Sequence, residues 1–196
     1  MKLDLATVGY LNRALAGHRR QLRFWRAVSA VGGPTSWRVL TGVTAVVLFW
    51  RRRRRAAALV GVTMAGAAML SGGTKALVGR SRPVVTVVVD RAPGKSFPSG
   101  HALTSFVAVG RLVLLVWPAC SARQRALLLV AATLLVTGIG FSRLALGVHF
   151  LTDVLGGWLM GGLWLIGSRR LVARWGSRGE AVRPVIDPRR PAGLRG

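Results

Sequence analysis

The sequence predicts an all-α fold, a polytopic membrane bundle of five to six transmembrane helices, and three observations lead there. Four apolar stretches are each long enough to cross a bilayer, for which about 20 residues suffice. Hydrophobic residues make up 52% of the chain and the mean hydropathy is +0.45, yet the formal net charge is +24. The cations gather between the apolar runs, as they do when Lys and Arg sit in loops that meet anionic headgroups.

Taken in order, residues 1–35 mix Leu, Val, Phe24 and Trp25 with Arg13, Arg19, Arg20, Arg23 and Arg26. That mixture reads as one or two helices lying in the membrane interface. The transmembrane domain is expected over 36–172. Its strong spans are 56–78, 100–117, 126–146 and 149–167. A weaker one, 36–50, follows the Gly32-Gly33-Pro34 break. The tail, 173–196, is rich in Arg, Pro and Gly and is expected to be disordered, in contact at most with anionic lipid. The five arginines 51–55, the pair Arg123 and Arg125, and the pair Arg169 and Arg170 all fall on one face of such a bundle. By the positive-inside rule that face is cytoplasmic, and the opposite loops face outward. An odd number of spans would put the basic N-terminal segment outside as well.

The composition also excludes. A nucleic-acid binder of this charge would carry it on a soluble face, without long apolar runs. Asp4, Asp90, Asp153, Glu180 and Asp187 are the only acidic residues, and His18, His101 and His149 the only histidines. A carboxylate-rich metal site is not expected from that inventory, and no cofactor is predicted. Cys120 is alone and forms no intrachain disulfide. Asp4, Asn12 and Arg13 interrupt what would be the apolar core of a cleavable signal peptide, so none is expected.

Chemistry-bearing residues collect in three short segments. Lys75, Arg82 and Pro83 form the first, Pro98-Ser99-Gly100-His101 the second, and Ser142, Arg143, His149 and Asp153 the third. Each lies where a predicted span begins or ends, and the topology brings all three to one membrane face. His149 and Asp153 are four apart and share a helix face. A carboxylate on one ring nitrogen fixes the imidazole tautomer and raises the basicity of the other nitrogen, which suits a nucleophile; a purely structural His–Asp pair is the competing reading. Pro98 and Gly100 suit a loop entering a helix, with Ser99 as its cap and free N–H groups beyond as an anion site. His101 there could protonate a departing oxygen. Lys75, Arg82 and Arg143 taken singly are cations at helix ends, but on one face together they would repel one another without an anion between them. Arg111 stands apart, in the middle of the third span with no obvious acidic partner. Two readings are open, snorkelling to the cytoplasmic face or lining a polar cleft.

Together the three segments resemble the tripartite signature of the type 2 phosphatidic acid phosphatase superfamily, Lys-x6-Arg-Pro, Pro-Ser-Gly-His and Ser-Arg-x5-His-x3-Asp. The likeness implies that fold, shared with vanadium haloperoxidases, and the roles that go with it. It makes His149 the nucleophile of a phosphohistidine intermediate, oriented by Asp153, and His101 the general acid. Lys75, Arg82, Ser99, Gly100 and Arg143 become the phosphate cradle, and no metal takes part. It further implies a lipid-linked phosphomonoester or pyrophosphate as substrate: phosphatidate, phosphatidylglycerol phosphate, or a polyprenyl phosphate or pyrophosphate. The protein would sit in a bacterial-type cell membrane with its site facing outward. Soluble acid phosphatases and haloperoxidases carry the same signature without membrane spans. A non-catalytic lipid-phosphate binder or translocator on the same scaffold would need the cations but neither His101 nor the His149–Asp153 pair.

Overall fold

The computed structural model describes residues 2–85, 90 and 92–176, with side chains up to Leu171. Among these residues every regular element is helical, seven α-helices and one 3-10 turn: α1 (Lys2–Leu15), α2 (Arg19–Val31), α3 (Pro34–Trp50), α4 (Arg54–Val78), α5 (Gly100–Val116), the turn Trp117–Ala119, α6 (Ala122–Ala145) and α7 (Leu151–Gly176). Local sequence accounts for most boundaries. Pro34 opens α3 at its first turn, where no N–H is needed. Gly79 closes α4 in the left-handed region at φ 63°, its N–H bonded to the Lys75 carbonyl at 3.1 Å. Ser99 caps α5 by accepting from the Ala102 N–H, and Ser121 with Gln124 forms a reciprocal capping box on α6.

Helices α3 to α7 alternate in direction, so the ends of α4 and α6 meet the starts of α3, α5 and α7 at one end of the bundle. Central to it is α5, which packs against α3, α4, α6 and α7. Leu103, Val107 and Ala108 of α5 are fully buried among Ala67, Met64 and Ile139. Close approach of α7 to α5 depends on Gly157 and Gly161, four apart on one face. A Cβ on Gly157 would lie 2.9 Å from the Ser99 carbonyl oxygen and 3.1 Å from the Leu103 nitrogen. Outward-facing positions carry large apolar side chains, among them Val43, Leu134, Leu159 and Leu163, as lipid contact requires.

Three helices are long and apolar enough to cross a membrane by length and composition: α4, α5 with its 3-10 turn, and α6. The expectation of five to six spans is thus met on that criterion by three. At 17 residues α3 is shorter than the ~20 that a bilayer needs. Helix α7 has 26 residues, but its glycines and its Asp153 dilute the apolar content. Both complete the antiparallel bundle beside the other three. Helix α7 also runs to Gly176, beyond the domain boundary expected at 172; residues 177–196 of the predicted tail lie outside the described residues.

The N-terminal segment forms two helices that pack on the bundle, α2 along α6 and α1 across α6 and α7. Trp25 meets Phe141 edge-on at 4.8 Å between ring centroids, and Leu11 joins Leu144 and Val154. Polar Asp4, Asn12 and Ser29 turn inward. The arginine-rich turns 51–54 and 121–125 lie at the opposite end of the bundle from these inward-facing residues.

Candidate active site

All eight sequence-predicted site residues fall at one end of the bundle, because each sits within a few residues of a helix end there. Lys75 lies in the last turn of α4. Ser99, Gly100 and His101 start α5, Arg143 is in the last turn of α6, and His149 and Asp153 flank the start of α7. The starts of α5 and α7 are joined directly: the Ser99 N–H donates to the Asp153 carbonyl at 2.9 Å. At Gly100 the helix start is bare of side chain, and a Cβ there would lie 3.7 Å from Lys75 Nζ. The lysine therefore stands over the free N–H groups of α5, and two independent sources of positive potential meet.

His149 is buried, at 2% exposure. Arg82 Nη1 approaches its Nε2 at 3.2 Å, and Asp153 Oδ2 lies 3.4 Å from its Nδ1. A guanidinium only donates, so Nε2 carries the lone pair and the ring proton belongs on Nδ1, facing the carboxylate. The 3.4 Å contact falls outside hydrogen-bond geometry, and Nδ1 has no hydrogen-bond partner among the described residues. Burial, then the charges of Arg82 and Arg143, push the His149 pKa down, and Asp153 opposes them only in part, leaving it at about 4. At neutral pH the imidazole is uncharged, with its Nε2 lone pair turned toward Arg82.

The two arginines beside the histidines are held from behind. Arg82 donates to the carbonyls of Gly94, Pro93 and Val148 at 3.0, 2.9 and 2.7 Å, which pins the connection between α4 and α5 over His149. Arg143, 5% exposed, donates through Nη1 to the Ser29 hydroxyl, while its Nε is buried with no partner among the described residues. The same Ser29 oxygen lies 3.5 Å from His101 Nε2. His101 opens onto a polar cleft of about 480 Å³ lined also by Arg26, Ser29, Thr35, Ser36 and Asp90. At Ser36 that cleft meets an apolar groove of about 540 Å³ between α2, α3 and α6, walled by Phe24, Val28, Trp37, Leu40 and Ile139.

Three residues at this end carry no signal in the motif. Ser29 bridges Arg143 and His101 from α2. Arg80 donates to Asp153 Oδ1 at 2.7 Å and to Asp4 Oδ2 at 2.8 Å. The scarcity of carboxylates in so basic a chain was the one available pointer to Asp4; nothing local marks Ser29 or Arg80. Arg111, conversely, is remote from the site. It is 1% exposed and donates to Ser168 Oγ at 2.8 Å, so it neither snorkels to the surface nor faces the cleft.

The family model described as PAP2 superfamily matches residues 56–177. The chain belongs to the PAP2 superfamily. The matched residues run from α4 through α7 and contain all eight predicted site positions. Among curated relatives, phosphatidylglycerophosphatase B of Bacillus subtilis is 32% identical over 96 residues, covering 47% of this chain and 46% of its own length. Undecaprenyl-diphosphatase of Sulfolobus acidocaldarius is 32% identical over 124 residues, covering 61% of this chain and 56% of its own. The chain thus spans about half the length of the curated relatives it matches. A crystal structure of a transmembrane PAP2-type phosphatidylglycerolphosphate phosphatase from Bacillus subtilis superposes with a TM-score of 0.73. At 23% identity it covers 92% of this chain and 87% of that one, so the helical bundle has a counterpart in fold.

Proposed function

We propose that this PAP2 chain is an integral membrane phosphatase that hydrolyses a lipid-linked phosphomonoester or diphosphate through a phosphohistidine on His149, without a metal. The observation that carries the reading is the placement of His149, with Nε2 facing Arg82 and Nδ1 backed by the Asp153 carboxylate. Nε2 attacks phosphorus as the bond to the leaving oxygen breaks, and His101 delivers a proton to that oxygen. Water then attacks the phosphohistidine, His101 takes its proton, the P–N bond breaks and inorganic phosphate leaves. Lys75, Arg143 and the α5 N–H groups hold the equatorial oxygens as charge spreads over them, and Arg82, whose donors serve backbone carbonyls and His149, adds its positive charge. The unpartnered Arg143 Nε is a donor that a phosphoryl oxygen would satisfy. The carboxylate inventory favours this metal-free route, since Asp153 is engaged by the Phe150 N–H and by Arg80.

A lipid rather than a soluble ester is favoured by the meeting of the polar cleft with the apolar groove, which suits a headgroup followed by a chain. Both curated relatives bear the names of lipid phosphatases, one acting on phosphatidylglycerophosphate and one on undecaprenyl diphosphate. The arginine-rich turns at the far end favour a cytoplasmic location for that end and an outward-facing site in a bacterial-type membrane. A non-catalytic binder would have no use for His101 and the His149–Asp153 pair.

The test is phosphate release from these lipids by the purified full chain in detergent with a chelator present. His149→Ala is expected to lower the rate by about four orders of magnitude or more while lipid phosphate still binds. Turnover by that variant would reject the nucleophile, and activity that needed an added metal would reject the metal-free route.

A further inference from the structure

The family match begins at residue 56, so α1 lies outside it, yet α1 reaches the back of the site. Two of the chain's five acidic residues, Asp4 and Asp153, bind one guanidinium. Arg80 Nη1 donates to Asp153 Oδ1 at 2.7 Å and Nη2 to Asp4 Oδ2 at 2.8 Å, and the group lies over the Phe150 ring, 4.1 Å from its centroid. Asp4 accepts two further bonds, from the Thr152 N–H at 3.0 Å and the Thr152 hydroxyl at 2.7 Å. Thr152 is in the first turn of α7, where N–H groups have no partner within the helix. A carboxylate from another helix therefore caps α7 and complements its dipole. The side chains of Asp4 and Asp153 are 3% and 0% exposed.

This arrangement divides a charge. With Asp153 as its only counter-ion, Arg80 would neutralise that carboxylate and draw it away from His149. A second carboxylate takes part of the pull. Burial disfavours the Asp4 carboxylate, but its bonds from Arg80 and Thr152 outweigh burial and hold its pKa below the ordinary value. The anion is therefore permanent at neutral pH.

We propose that Asp4, on α1, is a positioning residue for the hydrolytic reaction: it holds Arg80 and the first turn of α7 so that Asp153 stays behind Nδ1 of His149. The proposal rests on His149 being the nucleophile. It makes α1 part of the catalytic apparatus.

The charged groups around His149 are Lys75 from α4, Arg80 and Arg82 from the connection that follows, His101 from α5, Arg143 from α6 and Asp153 from α7. Substitution of Asp4 or Arg80 leaves the other charged groups in place and changes the charge that reaches Asp153, together with their contacts to Thr152. The experiment uses the full chain in detergent as Asp4→Asn, Asp4→Glu, Arg80→Gln and the Asn/Gln double variant. Lipid phosphate hydrolysis is followed together with the titration of His149 by nitrogen NMR, its signal identified by loss in His149→Gln.

Asp4→Asn is expected to lower kcat about 10-fold and Arg80→Gln about 100-fold, each with KM within about twofold. The double variant should lose clearly less than the product of the two single losses, because Asp4 acts in part through Arg80 and in part through Thr152. The His149 titration should move down in pH in Asp4→Asn, where Asp153 is neutralised more fully, and up in Arg80→Gln. Asp4→Glu keeps the charge and should fall between wild type and Asp4→Asn. Multiplicative losses in the double variant, His149 shifts of the same sign in Asp4→Asn and Arg80→Gln, or Asp4→Glu no better than Asp4→Asn would each overturn the proposal. A wild-type chain that released no phosphate would instead reject the hydrolase reading, and the titration, which needs no turnover, would still decide the role of Asp4.

Discussion

The bundle buries two arginines, Arg143 at the site end and Arg111 within the helices, and the two differ in company. Arg143 and Arg111 are 5% and 1% exposed. Each donates to a serine on another helix, Ser29 of α2 for Arg143 and Ser168 of α7 for Arg111. Each keeps an Nε with no partner among the described residues. Arg143 is joined through Ser29 to His101, and Ser29 and His101 both line an open polar cleft. Around Arg111 lie Ser168 and Thr63, and Trp164 closes the space by donating to the Thr63 carbonyl at 2.7 Å. A buried cation with an unfilled donor therefore marks no site by itself. What sets the site end apart is the company of two histidines and an accessible polar cleft that one of them, His101, lines. Arg111 is a polar staple that ties α5 to α7 beside α4.

The comparison breaks if the two arginines respond alike to substitution. Arg143→Ala is expected to lower kcat about 100- to 1,000-fold in the phosphate-release assay, since it removes a donor to the charge that develops in the transition state. Gly157→Ala should act next most strongly. Its Cβ would meet backbone atoms of α5 that cannot step aside, so about 1–3 kcal/mol of stability is lost, visible as a lower Tm in detergent, together with a fall in kcat as α7 shifts.

A smaller effect, one of pH, sharpens the description of the site end. Below its pKa of about 4 His149 is protonated and cannot attack, so the rate is expected to fall as pH drops through about 4 and to be insensitive to this group at neutral pH. An acidic limb near the ordinary histidine value of about 6.5 would show that water reaches the ring more freely than its burial indicates. Smallest of all is Arg111→Met, expected to leave kcat/KM within about twofold and to be neutral or slightly stabilising, because an apolar chain of similar length removes a buried charge at little cost.

Much of the site was legible because its residues sit at helix ends. Ser99, Gly79 and Pro34 announce where helices start or stop, and apolar length says how far away the other end lies. Lys75, His101, Arg143 and His149 could thus be assigned to one face before any contact was known. The number of spans was less legible. The apolar run after Pro34 folds into a helix of 17 residues, and α7 carries glycines that serve packing rather than hydropathy. Periodicity measures composition along one helix and does not say what that helix leans against.

Local order in the chain determined the helices, their ends, the grouping of the predicted site residues and the basic face opposite them, because backbone hydrogen bonding, capping and apolar length act over a few residues to a few turns. Tertiary structure alone decided the partnerships: Asp4 with Thr152 across 148 positions, Ser29 with Arg143 across 114, and Arg111 with Ser168 across 57. Hydrogen bonds and ion pairs reach only a few ångströms, so which donor meets which acceptor depends on how α1, α2 and α7 pack, and no spacing in the sequence encodes that.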